Sequence, residues 1–461
     1  MNKKKFFSLL KKCHNAIDLW EKRLPNFKMD DTLKVPEYKI DLIFEKYFKR
    51  IENHYPFFHP QYIGQMLKPP HPVASLAYFT AMLINPNNHA LDGGPETSEL
   101  EKESVEQLAK MFGFKKYLGH LTSSGTIANL EGLWISKSMH PKKFIAFSKE
   151  AHYTHKRMCS IIGTNFIEIN TDNKGKLDIN DLERKLRNYP IGTIVATIGT
   201  TGRGAIDPIH KLLELKKKFN FRIHVDAAYG GYFTLLAKHP EGLIESEPFL
   251  SISKCDSVVI DPHKHGLQPY GCGSIIFKDP SVGKFYKHDS PYTYFTSKEL
   301  HLGEISLECS RAGASAAALW VTLQLFPLKQ NEGMGQILTK TRMTALRWAE
   351  LINRSDYFSL LSQPELDIIV FFPKSKPFKS SLISELSEKI FTSAMNNKNF
   401  PIYLSKMKLE SKILRKNFPE LIIDKEHTTL IRCCLMKPEH LNYIPKLHKQ
   451  IENIAKKLLS K

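Results

Sequence analysis

The chain has 461 residues, 42% hydrophobic and 25% charged, which is the balance of a soluble globular protein with one large core and a second, smaller one. No apolar run approaches the roughly 20 residues needed to cross a bilayer, and seven scattered cysteines without CxxC spacing read as reduced thiols and indicate no metal site. A net charge of +19 raises nucleic acid or a membrane surface as partner, yet the lysines are spread along the chain and no basic block alternates with aromatics, so neither is expected.

The basic start Met1-Asn2-Lys3-Lys4-Lys5 precedes a short apolar stretch that Lys11 and Lys12 end after about five residues, against about 7 to 15 in a secretory signal, so a cytoplasmic protein is expected. Residues 1–85 read as helical and then irregular, with Pro36, Pro56, Pro60, Pro69, Pro70 and Pro72 breaking the later part. The aromatic, proline-rich residues 55–65 are too extended to make their own core and are expected to lie against another surface. A polar loop holds Asn87 and His89, Asp92-Gly93-Gly94-Pro95 caps the next element, and a helix runs from Thr97 with Leu100, Val105, Leu108 and Met111 near helical spacing. Thr122-Ser123-Ser124-Gly125-Thr126 is a turn of small residues opening a helix whose buried face is predicted from Leu130, Leu133 and Trp134. Free N–H groups and the positive dipole end at such a start accept a phosphate. Alone that signal is weak, because most such turns only cap.

Strands then alternate with helices: residues 144–147 lead to His152, then 166–169, then 193–198 running into Gly199-Thr200-Thr201-Gly202. Asp207 is expected to cap a helix with Pro208 at its first position and a stripe of Ile209, Leu212 and Leu213. Residues 222–225 form a strand carrying Asp226, and the apolar run 257–260 is a buried strand leading to Asp261-Pro262-His263-Lys264. Alternation of this kind predicts an α/β sheet covered on both faces, with His152, Thr200, Asp226 and Lys264 around one crevice at the strand ends. A long irregular stretch from 278 to 311 contains Tyr292 and Tyr294 and has the length of a lid or binding loop. After about 330 come a helix over 334–353, a strand over 366–372, a helix, a strand over 429–435 and a terminal helix. The expected division is an N-terminal helical and extended segment 1–85, a large domain 86–330 and a small α+β domain 331–461.

A lysine after a strand is ordinarily a surface residue. Here it occurs with an acid at a neighbouring strand end and an anion-binding turn, the three parts that pyridoxal phosphate needs: a Schiff-base lysine, a partner for the pyridinium nitrogen and a phosphate cradle. A lysine amine titrates near 10.4, so Lys264 is expected to be depressed by the apolar strand end and by His263. An anionic Asp226 about 4 Å from the ring nitrogen would be worth roughly 4 kcal/mol at an effective dielectric of 20, about three decades in protonation constant.

Together, Thr122 to Leu130, the histidine of Ala151-His152-Tyr153, the turn at Gly199-Thr200-Thr201, His224-Val225-Asp226-Ala227-Ala228-Tyr229-Gly230-Gly231 and Asp261-Pro262-His263-Lys264 resemble the group II pyridoxal phosphate-dependent amino-acid decarboxylases. The resemblance implies the fold type I architecture of these transferases, with a mainly parallel central sheet, and a homodimer with active sites at the subunit boundary and the N-terminal segment 1–85 packing on the partner subunit. It gives Lys264 the Schiff-base role, Asp226 the pyridinium nitrogen, Ala228 and His152 the two ring faces, Gly125, Thr126 and His263 the phosphate, and Thr200 a place next to the ring. It puts Gln65 and Arg432 near the substrate carboxylate, Asn87 and His89 on a side-chain-reading loop from the neighbouring subunit, and Tyr292 or Tyr294 as the acid that reprotonates the α-carbon. Two positions depart from the family's pattern: His265 stands where an aromatic follows the His-Lys pair, and Lys68 where a small polar residue is usual. The implied activity is α-decarboxylation of an L-amino acid to an amine and CO2, leaning towards an acidic or polar substrate, with tyrosine-like ones open. The alternatives are another fold type I reaction (aldehyde-forming oxidative deamination, transamination or carbon-carbon lysis) and a non-enzymatic basic binding protein.

Overall fold

The computed structural model describes residues 1–287 and 305–459. In chain order the helices are α1 (Lys3–Glu21), α2 (Glu37–Ile51), α3 (Pro72–Met82), α4 (Pro95–Met111), α5 (Gly125–Met139), α6 (Thr154–Ile161), α7 (Ile179–Asn188), α8 (Ile209–Lys218), α9 (Ser246–Ser251), α10 (Gly313–Leu325), α11 (Met334–Asn353), α12 (Ser380–Met395), α13 (Ser411–Asn417) and α14 (His440–Leu459). The central sheet comprises β1 (Leu118–Thr122), β2 (Phe144–Ser148), β3 (Phe166–Ile169), β4 (Ile191–Thr197), β5 (Arg222–Asp226), β6 (Ser257–Ile260) and β7 (Gly273–Phe277), in the spatial order β1-β7-β6-β5-β4-β2-β3. Strands β2 to β6 pair in parallel, while β7 runs antiparallel between β6 and β1. The short hairpin β8 (Leu328–Lys329) and β9 (Glu332–Gly333) precedes a four-stranded sheet of β10 (Phe358–Leu360), β11 (Ile368–Pro373), β12 (Ser405–Glu410) and β13 (His427–Cys434), ordered β10-β11-β13-β12.

Alternation along the parallel strands explains why both faces are covered. Val258 and Ile260 join the cluster that holds Leu212 of α8, whereas Val259 between them joins the cluster that holds Ala128 of α5. Each of these three side chains is fully buried, worth about 1.5–3 kcal/mol apiece. The register pairs Thr197 with Asp226 and Asp226 with Val259, so the ends of β4, β5 and β6 lie along one edge of the sheet. That edge carries the chemistry.

Several local expectations change. Pro72 does not break a helix but starts α3, with the His71 side chain accepting from Val73 N–H. Asp207 is not the cap of α8: its Oδ1 accepts from Leu177 N and its Oδ2 from Thr197 N, each at 2.7 Å. On α5, Leu133 is buried but Leu130 and Trp134 are only half-buried. The helix lies so close to β5 that a Cβ on Gly132 would come within 2.2 Å of His224 Cε1, so small residues, not the large ones, define its inner face. Residues 55–65 do lie against another surface: Ile63 N donates to Tyr403 O and Cys434 N donates to Ile63 O, seating Ile63 in the core around Trp348 and the C-terminal sheet. By contrast, α1 and α2 have no buried residue.

Candidate active site

Asp226 is the last residue of β5, Lys264 follows β6 by one turn, and Gly125 opens α5. These three, with Thr126, His152 and Ala228, line one cavity of about 190 Å³. His263 lines it as well.

Asp226 is 5% exposed and has two partners among the described residues: His155 Nε2 lies 3.0 Å from Oδ2, and Ala228 N donates to Oδ1 at 3.2 Å. Burial alone would raise this carboxyl, but the hydrogen bond and charge of His155, with Lys264 beyond it, hold it well below the usual carboxylate range. His155 itself is fully buried. It sits three residues after His152, one helical turn along, and that spacing within Ala151-His152-Tyr153-Thr154-His155 was the available sequence signal. His152 is held by Thr154, whose Oγ1 lies 2.7 Å from Nδ1, and burial lowers its titration.

Lys264 differs from expectation. Burial acts to depress the amine, but Asp261 Oδ2 lies 3.0 Å from Nζ and Asp226 adds its charge, so the net shift is upward. Without a cofactor the lysine is therefore an ammonium ion paired with Asp261. His263 cannot act as the neighbouring cation, because burial pushes its own imidazole down. Asp261 belongs to the same motif as the lysine, yet sequence reasoning gave it no role.

At the start of α5, Ser124 caps the helix by accepting from Ile127 N, leaving the Gly125 and Thr126 N–H groups in the first turn without intrahelical partners. A Cβ on Gly125 would come within 2.6 Å of both Asp261 carboxylate oxygens, so only glycine lets that carboxylate rest against the helix start. The end of β4 contributes Thr197 to the cavity, and the turn after it Gly199 and Thr201. Thr200 is not among the lining residues: it is fully buried and its Oγ1 accepts from Ala205 N.

The remaining expected residues lie further out. Gln65 is exposed beside Met66, which lines the cavity. Arg432, on β13, donates from Nε to Gly202 O and from Nη1 to Gly64 O and Ser405 Oγ, while its buried Nη2 has no hydrogen-bond partner among the described residues. Asn87 turns its Oδ1 to His89 N and Arg311 N, which shapes its own loop, and neither Asn87 nor His89 lines this cavity. Tyr292 and Tyr294 lie outside the described residues.

Whether these residues suit pyridoxal phosphate is tested by what is unsatisfied. Asp261 Oδ1, His263 Nδ1 and Thr197 Oγ1 are buried polar atoms in lining residues with no hydrogen-bond partner among the described residues. Around the same cavity stand an amine, a carboxylate held ionised and a helix start open to an anion, the donor set the cofactor requires. The residues fit the group.

Comparison with known proteins gives the same direction. The family described as "Pyridoxal-dependent decarboxylase conserved domain" matches residues 34–374. An L-tyrosine decarboxylase of Enterococcus faecium is 29% identical over 438 residues, covering 72% of this chain and 71% of the relative. A protein named probable L-tyrosine/L-aspartate decarboxylase, from Methanothermobacter thermautotrophicus, is 28% identical over 311 residues, covering 67% of this chain and 82% of the relative. The crystal structure of Oryza sativa TDC with PLP and tryptamine superposes with a TM-score of 0.77 at 16% identity, covering 98% of each chain, a likeness of fold.

Proposed function

This chain belongs to the pyridoxal-dependent decarboxylase family, and from that premise we propose that it converts an L-amino acid to the corresponding amine with release of CO2. The observation that carries the reading is the shared cavity bounded by Lys264, Asp226 and the start of α5. Bound there, pyridoxal phosphate supplies an aldehyde that condenses with amines and a protonated ring that accepts the electron pair left by the departing CO2. Gly125, Thr126 and His263 would hold its phosphate, Asp226 its ring nitrogen, Ala228 and His152 its ring, and Lys264 its aldehyde carbon.

The chain's own residues prepare that chemistry. Lys264 carries a proton that it must lose before it can act as a nucleophile, and Asp261, 3.0 Å away, is the group in contact to hold it. His155 keeps Asp226 ionised, so the carboxylate can fix a proton on a ring nitrogen instead of taking it. Arg432 Nη2 is proposed to pair with the substrate carboxylate, with Gln65 nearby; its three other contacts, to Gly202, Gly64 and Ser405, anchor the guanidinium.

The relatives are named for tyrosine and aspartate, so we propose a polar L-amino acid with these two tested first. A homodimer is proposed as well, with Asn87 and His89 serving the partner's site. Support comes from α2, which buries none of its residues and exposes Phe44, Tyr47 and Phe48. A cytoplasmic location accords with seven free cysteines. The deciding experiment measures CO2 and amine across the twenty amino acids. Stoichiometric amine and CO2 from one of them is expected, and aldehyde or keto acid without amine overturns the proposal.

A further inference from the structure

Of the two departures from the family pattern, His265 contacts a buried carboxylate and Lys68 is drawn by the same carboxylate's charge at longer range. Asp367, immediately before β11 in the C-terminal sheet, is fully buried. Tyr229 OH donates to its Oδ1 at 2.7 Å, and His265 Nε2 lies 3.3 Å from its Oδ2. Lys68, 8% exposed, has only two long contacts among the described residues, with Nζ 3.5 Å from His265 O and 3.4 Å from Met436 O, and Asp367 supplies its main electrostatic attraction. Each partner sits at the active site's rim: Tyr229 lines the cavity, His265 follows Lys264, and Lys68 is two residues past the cavity-lining Met66.

We propose that Asp367 is the positioning residue of this site, its carboxylate fixing Tyr229 directly and the Lys264 turn through His265, with the buried Lys68 adding a positive charge at longer range. The C-terminal sheet thereby braces the cavity-lining Tyr229 and the residue that follows Lys264. An ammonium held this far from water is expensive, and burial brings Lys68 down to about 8 even with Asp367 and Glu439 attracting it at longer range. The other groups facing Lys68 are His265, which burial keeps neutral, and Lys437, which repels it. Loss of the Lys68 proton removes one of the positive charges acting on Asp367, Arg342 remaining, and makes the surroundings of an anionic cofactor more negative.

The proposal rests on the cavity binding pyridoxal phosphate, and the test separates the two. Cofactor-free wild type, Lys68→Met, Asp367→Asn, the double variant and Tyr229→Phe are titrated with pyridoxal phosphate from about pH 6.5 to 9.5, following absorbance near 420 nm, roughly where its lysine adduct absorbs, and Tm. Wild-type affinity is expected to fall about tenfold as the pH passes 8, a limb absent from Lys68→Met. Lys264, Tyr270 and the cofactor phosphate titrate in every protein, so the limb is read as the difference between those two. Asp367→Asn and Tyr229→Phe are expected to bind about tenfold more weakly at all pH values. The double variant recovers Tm but not affinity. Wild-type affinity and pH profile in Lys68→Met or Asp367→Asn, or recovery of affinity in the double variant, overturns the proposal. Where Asp367→Asn does not fold, unchanged affinity in Tyr229→Phe overturns it. A wild-type protein that binds no cofactor overturns the functional reading instead.

Discussion

Two buried aspartates meet the end of β4, and burial leaves them in different charge states. Asp226 pairs in register with Thr197, and Ile198 N donates to its carbonyl, while Asp207 accepts from Thr197 N through its side chain. Burial penalises both carboxylates equally in kind. For Asp207 that penalty exceeds the help of two backbone N–H groups, and the carboxyl is pushed up to about 7. For Asp226 the imidazole of His155 and the amine of Lys264 reverse it, and the carboxyl stays ionised. Depth in the sheet does not decide which acid is charged; a basic side chain within hydrogen-bond reach does. Asp207 reads as a structural clamp between strands, Asp226 as an electrostatic partner for a cation.

Breaking the comparison at its functional end produces the largest effect. Lys264→Ala should abolish both decarboxylation, by more than about 10⁴-fold, and the absorbance band near 420 nm. Lys254→Ala, beside the same strand's start, should leave both unchanged, and equal loss in the two would remove the assignment of the lysine. Asp226→Ala should lower kcat/KM by about three decades, from roughly 4 kcal/mol of lost attraction, with the fold retained by circular dichroism. A loss under tenfold would show that the carboxylate is no more than a clamp, like Asp207.

Asp207 tests the other side through stability. Its value in the folded chain, about 7, lies above the unfolded 3.8, so its contribution is fully present below about pH 4 and is lost as the pH rises through 7. A shift of about 3 units corresponds to up to about 4 kcal/mol, measurable as a slope in urea-unfolding free energy. Asp207→Asn should flatten that slope with little change in kcat. A slope that survives the substitution would assign it elsewhere. Converting one aspartate's surroundings towards the other's gives the smallest effect: His155→Phe leaves Asp226 with the Ala228 N–H and the more distant charge of Lys264, so its titration should move upward towards that of Asp207. Activity is then expected to fall about 10- to 100-fold, with the acid limb of the pH profile displaced to higher pH. His155→Gln, which keeps an N–H donor, should retain most of the activity.

The motifs of the site were legible because each is local: a strand pattern followed by a lysine, an acid or a small-residue turn is written in consecutive residues. The same reasoning failed where partners were distant. Asp207 followed by Pro208 has the local form of a helix cap, but Leu177 and Thr197 claim its oxygens. Lys264 was expected to be depressed by its apolar strand end, and Asp261, one turn away in the same motif, reverses that. Thr200 and Thr201 are indistinguishable in sequence, and only the course of the turn points Thr201 to the cavity.

By itself the sequence determined the parallel, doubly covered sheet, because uninterrupted β-branched runs between helical stripes can bury both faces in few other ways. It also determined the family, and the lysine and acid proposed to carry the chemistry stand in short motifs. Tertiary structure alone decided which of these groups is charged, joining His155 to Asp226, Asp261 to Lys264, and Lys68 and His265 to Asp367. Charge in a buried site depends on desolvation and on neighbours a few ångströms away, and most of those neighbours are brought there by folding, not by chain order.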